Sequence, residues 1–95
     1  MKTIIEDIII DSDSKSVYKD KIRVPMTKNE YMLVSYLAEN EGKVYSRKEL
    51  INTLWENEVA ERTVDNLVSR IKMKIGSIIK PVNGYGYGII KDIIE

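Results

Sequence analysis

Side chains that donate hydrogen bonds or carry positive charge are concentrated between residues 62 and 74. The set comprises Arg62, Asn66, Ser69, Arg70, Lys72 and Lys74. Arginine and asparagine can each make two hydrogen bonds to a base edge, whereas lysine meets phosphate as a point charge. Met73 lies among these polar residues, where contact with water would gain it nothing. These residue types suit contact with a nucleic acid.

Helical periodicity divides the same stretch into two faces. At about 100° per residue, the apolar side chains form a narrow stripe made of Val64, Val68, Ile71 and Ile75. Asn66 and Met73 lie opposite this stripe, and Lys72 and Lys74 fall on its shoulders. The pattern fits a solvated amphipathic helix as well as a recognition helix, so by itself it leaves both interpretations open.

A second candidate contact region is rich in glycine. Asn83-Gly84 is a strong signal for a hairpin turn, and Tyr85 follows it between two glycines. The segment fits a tight turn with packing aromatics, or a flexible tip that lies along a DNA backbone or in a minor groove. It does not fit a glycine-rich phosphate loop, because no helix start follows it.

Other chemistry is limited by composition. The 95 residues contain no cysteine and no histidine. Disulfides, thiolate or imidazole zinc sites and Ser-His-Asp catalysis are therefore excluded. Acidic residues are spread along the chain rather than grouped, so we expect no enzyme, no metal site and no cofactor.

The formal net charge is zero, but the charges are unevenly distributed. Residues 1–61 contain nine Lys or Arg and twelve Asp or Glu, whereas residues 62–95 contain six and three. The basic part of the chain thus coincides with the donor-rich stretch. No apolar run approaches the roughly 20 residues that span a bilayer, and Glu6 and Asp7 interrupt the apolar N-terminus. We expect a cytoplasmic protein that does not contact membranes.

The elements that position these residues are strongly marked. Residues 4–24 are rich in β-branched residues with polar turns, which predicts a small antiparallel sheet that ends before Pro25. Capping boxes start helices at Thr27 and Ser46. The first helix is predicted from Thr27 to about Glu41, followed by Gly42, with a core face of Leu33, Val34 and Leu37.

The remaining elements complete the predicted fold. The second helix should bury Leu50, Ile51, Leu54 and Trp55, and residues 56–61 form an acidic connection. The third helix is predicted over about 62–75, with Gly76 as its stop. Extended segments 78–82 and 87–90 flank the Asn83-Gly84 turn. A sheet, three helices and a hairpin predict an α+β winged helix-turn-helix.

Motifs in this order resemble the OmpR/PhoB-type effector domain of bacterial response regulators. The matching segments are Thr27 to Leu37, Val44-Tyr45-Ser46-Arg47-Lys48-Glu49-Leu50, Trp55, Arg62-Thr63-Val64-Asp65, Arg70-Ile71-Lys72 and Gly84-Tyr85-Gly86-Tyr87. The resemblance covers nearly the whole chain. We therefore expect residues 1–95 to form one such domain without a receiver domain.

The resemblance implies sequence-specific binding of double-stranded DNA in a two-component system. It places the third helix in the major groove and the wing, about residues 78–91, near the minor groove. By motif position, the implied DNA contacts are Arg62, Ser69, Arg70, Lys72 and Lys74; the helical wheel adds Asn66 and Met73, and the hairpin adds Asn83 and Tyr85. Asp65 is expected to pair with a nearby cation, and Leu67 to contact a thymine methyl.

Further partners are implied by the family alone. They are a second copy bound head to tail on DNA, and RNA polymerase at the 56–61 loop. That loop is about two residues shorter than in familiar members, which suits a repressor rather than an activator.

Asn83 and Gly88 replace basic wing residues, and Ser69 replaces an arginine, so we expect lower affinity or more dependence on dimerisation. The alternative is a winged-helix module for protein contacts, which the zero net charge favours.

Overall fold

The N-terminal sheet is a four-stranded antiparallel meander. In the computed structural model, which describes residues 1–91, its strands are β1 (Lys2–Ile5), β2 (Ile8–Asp11), β3 (Ser16–Lys19) and β4 (Ile22–Val24), in that spatial order. Alternate residues on one face, including Ile5, Ile8, Ile10 and Val17, are buried. The predicted sheet is confirmed. Residues 92–95 of the predicted domain lie outside the described residues.

Two helices follow, and each begins at its predicted capping box. Helix α1 (Lys28–Glu39) is capped by Thr27, and α2 (Arg47–Trp55) by Ser46; in both, the glutamate three residues later accepts a hydrogen bond from the cap residue's backbone N–H. Helix α1 ends earlier than predicted, since the Asn40 N–H turns back to carbonyl oxygens of the last turn. Gly42 (φ 93°) instead forms the turn that follows.

Helix α3 (Glu61–Ile75) packs more broadly than predicted. It begins one residue earlier than expected and ends at Gly76, which has a φ of 91°. Its buried residues are Val64, Leu67, Ile71 and Ile75, while Val68 is only half-buried. The predicted stripe is therefore corrected at one position: Leu67 belongs to the core. The thymine contact expected for Leu67 is wrong, because its side chain is only 3% exposed.

The C-terminal hairpin is anchored by a third short strand. Strands β6 (Lys80–Val82) and β7 (Gly86–Gly88) pair antiparallel, and β5 (Val44–Tyr45), expected only as an extended link, pairs with β7. A Cβ at Gly86 would lie 2.0 Å from the Tyr45 carbonyl oxygen, and one at Gly88 would lie 2.3 Å from that of Lys43. The hairpin can approach the β5 segment this closely only because both residues are glycine.

One hydrophobic core joins the N-terminal sheet, the three helices and the base of the hairpin. Leu33, Leu37, Leu50 and Ile71 are fully buried at its centre, and Leu54 and Trp55 pack half-buried at its margin. The Trp55 indole N–H donates to Asn29 Oδ1 at 3.0 Å, which ties α2 to the first turn of α1. Within residues 1–91, no helix is both long and apolar enough to cross a membrane.

Candidate nucleic-acid interface

The face of α3 opposite the core is exposed within residues 1–91. Arg62, Asn66, Ser69 and Arg70 are all exposed, and Met73 is 88% exposed. The four buried residues of α3 hold the opposite side of the helix against α1 and α2, with which it makes its main helix contacts. Lys72 is also exposed. The structure therefore brings six of the seven predicted α3 residues together on one accessible surface, which we call the recognition face.

Lys74, the seventh residue, has a different environment from the one predicted. Its ammonium group lies 2.6 Å from Glu30 Oε1 and donates to the Pro25 carbonyl oxygen at 3.1 Å. Because the buried Glu30 carboxylate compensates the charge of Lys74, this ammonium group attracts a phosphate only weakly. The expected phosphate contact of Lys74 is therefore not supported, and its position on the α1 side of α3 explains the difference.

Glu30 is the unusual member of this pair, because its side chain is 1% exposed. Burial raises the pKa of Glu30, but hydrogen bonds from Lys74 and Thr27 and the nearby ammonium charge outweigh burial, so its net pKa lies below the ordinary value. Oε1 accepts both the Lys74 ammonium and the Thr27 N–H. Oε2 has no hydrogen-bond partner among the described residues. The pair pins the end of α3 to the start of α1.

A second polar contact joins α3 to α2 and the hairpin. Asp65 Oδ1 accepts from Arg47 Nε at 2.7 Å and from the Tyr87 hydroxyl at 2.7 Å. The Arg47 guanidinium also lies 5.8 Å from the Tyr87 ring centre. Hydrogen bonds from Arg47 and Tyr87 lower the pKa of Asp65. The pKa of Tyr87 is raised, mainly by burial and also by its hydrogen bond to the Asp65 carboxylate. The predicted cation partner of Asp65 is confirmed, and it is Arg47.

The hairpin tip projects from this contact. Asn83 and Gly84 are exposed, Tyr85 is 74% exposed, and the Tyr85 N–H closes the turn onto the Val82 carbonyl oxygen at 2.9 Å. Gly84 has a φ of 84°, which the turn requires. The tip and the first residues of α2, including Arg47 and Lys48, line one groove together with Glu61. The two predicted tip residues are thus accessible.

Arg47 and Lys48 lie beside the hairpin, although the sequence marks neither as a candidate contact residue. Both are exposed at the start of α2, where backbone N–H groups and the helix dipole add to their positive charge. The Ser46-Arg47 motif drew attention to this segment, but helical periodicity alone could not show that it faces the hairpin. Among the described residues, no group of three or more acidic side chains is arranged to hold a metal ion.

A sheet, three helices and a hairpin with this order and packing define a winged helix-turn-helix domain. A family model described as transcriptional regulatory protein, C terminal, matches residues 21–89. The chain belongs to this family, the OmpR/PhoB type of response-regulator effector domain that its motifs resemble.

Two curated relatives agree with this assignment. The sensory transduction protein BceR of Bacillus subtilis is 35% identical over 85 residues, covering 82% of this chain and 37% of BceR. The transcriptional regulatory protein SrrA of Staphylococcus aureus is 36% identical over 87 residues, covering 82% of this chain and 36% of SrrA. The chain therefore spans little more than a third of the length of these relatives.

Solved structures agree in fold. The Thermotoga maritima response regulator DrrB, an OmpR/PhoB homolog, matches with a TM-score of 0.86 and 32% identity, over 95% of this chain and 44% of that one. The DNA-binding domain of the response regulator AdeR, solved in complex with an intercistronic region, matches with a TM-score of 0.82 and 33% identity, over 94% and 99%. The fold class predicted from the sequence is confirmed.

Proposed function

We propose that this chain binds double-stranded DNA in a sequence-specific manner as the DNA-binding part of a bacterial transcription regulator. The recognition face enters the major groove, and the hairpin tip reaches the adjacent minor groove. The observation that carries this proposal is the exposed, donor-rich face of α3, held outward by a fully packed opposite side. AdeR, a relative at 33% identity, was solved with DNA, which supports the same role here.

Each exposed residue has a suitable partner on a duplex. Arg70 and Asn66 suit base edges, because each can make two hydrogen bonds to guanine and adenine respectively. Arg62, Ser69 and Lys72 suit the phosphates that flank the groove, together with Lys48. Asn83 and Tyr85 suit sugar and minor-groove contacts, which need no positive charge. Lys74 is left out of the proposed contact set, because Glu30 holds its ammonium group.

Titration of fluorescent duplexes selected from a random pool tests the proposal. We expect Arg70→Ala to cost about 1–3 kcal/mol of binding free energy, because it removes a two-bond base contact. The matched control is Arg23→Ala, which removes an exposed arginine from the N-terminal sheet and should leave affinity unchanged. The logarithm of the binding constant should also fall by about 0.9 per neutralised phosphate for each tenfold rise in salt.

Equal losses for the two arginine variants would contradict the recognition-face assignment. A chain that enriches no sequence from the pool would contradict DNA binding itself. That result would favour a module for protein contacts, the alternative consistent with the zero net charge and the uncharged hairpin tip.

The proposal extends to assembly and regulation. Two copies bind direct repeats head to tail, and the acidic 56–61 segment is where a contact with RNA polymerase would be made, although its short length suits a repressor. Within this segment Glu56 and Asn57 have left-handed backbones (φ 49° and 66°), which give a compact turn between α2 and α3. A chain that binds chromosomal DNA in a bacterium acts in the cytoplasm. We also propose that residues 1–95 form a single domain.

A further inference from the structure

Met73 is an apolar side chain in the middle of a polar, accessible surface. At 88% exposed, it has the largest exposed fraction among the big hydrophobic residues of the described chain. The others are Met1, Ile4, Ile22 and Tyr85, which lie at the N-terminus, on strands or in the hairpin turn. Nothing in residues 1–91 covers Met73, so the fold does not account for an apolar residue here.

The position of Met73 on α3 relates it directly to the proposed base-reading residues. It follows Arg70 by three residues and Asn66 by seven, which places it on the same face. At about 1.5 Å of rise per residue, Met73 lies about 4.5 Å beyond Arg70 and about 10.5 Å beyond Asn66 along the helix. With α3 lying lengthwise in the major groove, as proposed above, these separations correspond to about one and three base pairs, because successive bases are about 3.4 Å apart.

The major groove offers a specific partner for such a side chain. The C5-methyl group of thymine is the apolar group that base pairs present there, and donor or acceptor atoms fill most of the remaining edge. A methionine side chain is flexible and polarizable, so it can adapt to a methyl group whose position is set by other contacts. Leu67, the other apolar candidate on this helix, is buried.

We propose that Met73 is a specificity-determining residue that packs against the methyl group of one thymine in each half-site. The thymine lies about one base pair from the base read by Arg70, on the side away from Asn66. This inference rests on the proposed function, because it requires α3 to lie in the major groove. It adds a sequence preference that hydrogen-bonding residues alone would not give.

Deoxyuridine, which lacks only the C5-methyl group, tests the contact. A duplex selected from a random pool by the 95-residue chain is prepared with each thymine replaced in turn by deoxyuridine. We expect one replacement to weaken binding about fourfold, since one buried methyl group contributes about 0.8 kcal/mol. In Met73→Ala the same replacement should have no effect, whereas Met73→Leu, which keeps an apolar side chain, should remain sensitive.

Two controls separate the possible failures. Ile22→Ala removes another exposed apolar side chain, on β4, and should retain the full response to deoxyuridine. If the pool yields a bound sequence but no thymine shows a methyl effect that depends on Met73, the inference is overturned while DNA binding stands. If no sequence is enriched, the proposed function fails, and the inference fails with it.

Discussion

Glu30 shows how one buried side chain can serve two elements. Its Oε1 atom completes the capping box of α1 and also receives the Lys74 ammonium from α3. The pKa of Glu30 is lower in the folded chain than in the unfolded chain. Its ionised carboxylate therefore stabilises the fold at pH values above the ordinary pKa of a glutamate. This contribution is lost as the pH falls through the lower, folded value.

Removing the Lys74 ammonium should expose the cost of burying Glu30. We expect Lys74→Met to destabilise the chain by about 2–3 kcal/mol at neutral pH, because it leaves the Glu30 carboxylate buried without its cation. This loss is somewhat below the usual range for a buried ion pair, since the Lys74 side chain is 34% exposed. Lys72→Met, on an exposed shoulder of the same helix, should change stability by less than about 0.5 kcal/mol. Urea unfolding measures both variants.

The pH dependence of this loss identifies its cause. In Lys74→Met the Glu30 carboxylate is left buried without its cation, so it will bind a proton more readily and the deficit should shrink in acid. A deficit that is the same at neutral and acidic pH would mean that the lysine stem, rather than its charge, stabilises the fold.

At the scale of elements, the local signals predict the helix starts correctly, whereas one side assignment on α3 is wrong. A capping box depends on residues three apart, so Thr27-Glu30 and Ser46-Glu49 could be recognised directly. Leu67 and Val68 lie on opposite margins of the apolar stripe of α3, and periodicity cannot tell which margin faces its neighbours. The packing of α1 and α2 decides it, and Leu67 is the one buried. The Lys74–Glu30 pair spans 44 residues and has no local signal.

The hairpin needs glycine mainly because a Cβ would not fit, and less because of the backbone conformation of its turn. We expect Gly86→Ala to destabilise the chain by at least about 3 kcal/mol, because its Cβ would overlap the Tyr45 carbonyl oxygen at a φ of 140°. Gly84→Ala is the matched control: its φ is also positive, but no atom of residues 1–91 lies within 4 Å of the added Cβ, so we expect a loss of about 1 kcal/mol. Similar losses in thermal unfolding would indicate that backbone strain, rather than close approach, limits both positions.

At the scale of the whole molecule, one carboxylate sets the hairpin against the recognition helix. Asp65 on α3, Arg47 on α2 and Tyr87 on β7 meet within hydrogen-bond distance, although they come from segments far apart in sequence. The family motifs include Asp65, Arg47 and Tyr87, but they do not show that these three side chains contact one another. The proposed reading of two grooves at once requires a fixed distance between α3 and the hairpin tip, and this contact provides one.

Tyr87→Phe tests that coupling, because it removes the hydroxyl and keeps the ring that packs beneath Arg47. We expect a loss of about 1 kcal/mol in urea unfolding, since Asp65 is partly exposed. Tyr18→Phe, on the N-terminal sheet, should be neutral. If DNA binding holds, hydroxyl-radical footprints of Tyr87→Phe should lose protection where the hairpin lies and keep it where α3 lies. An equal loss of protection at both places would show that Asp65 and Tyr87 stabilise the domain without positioning the hairpin.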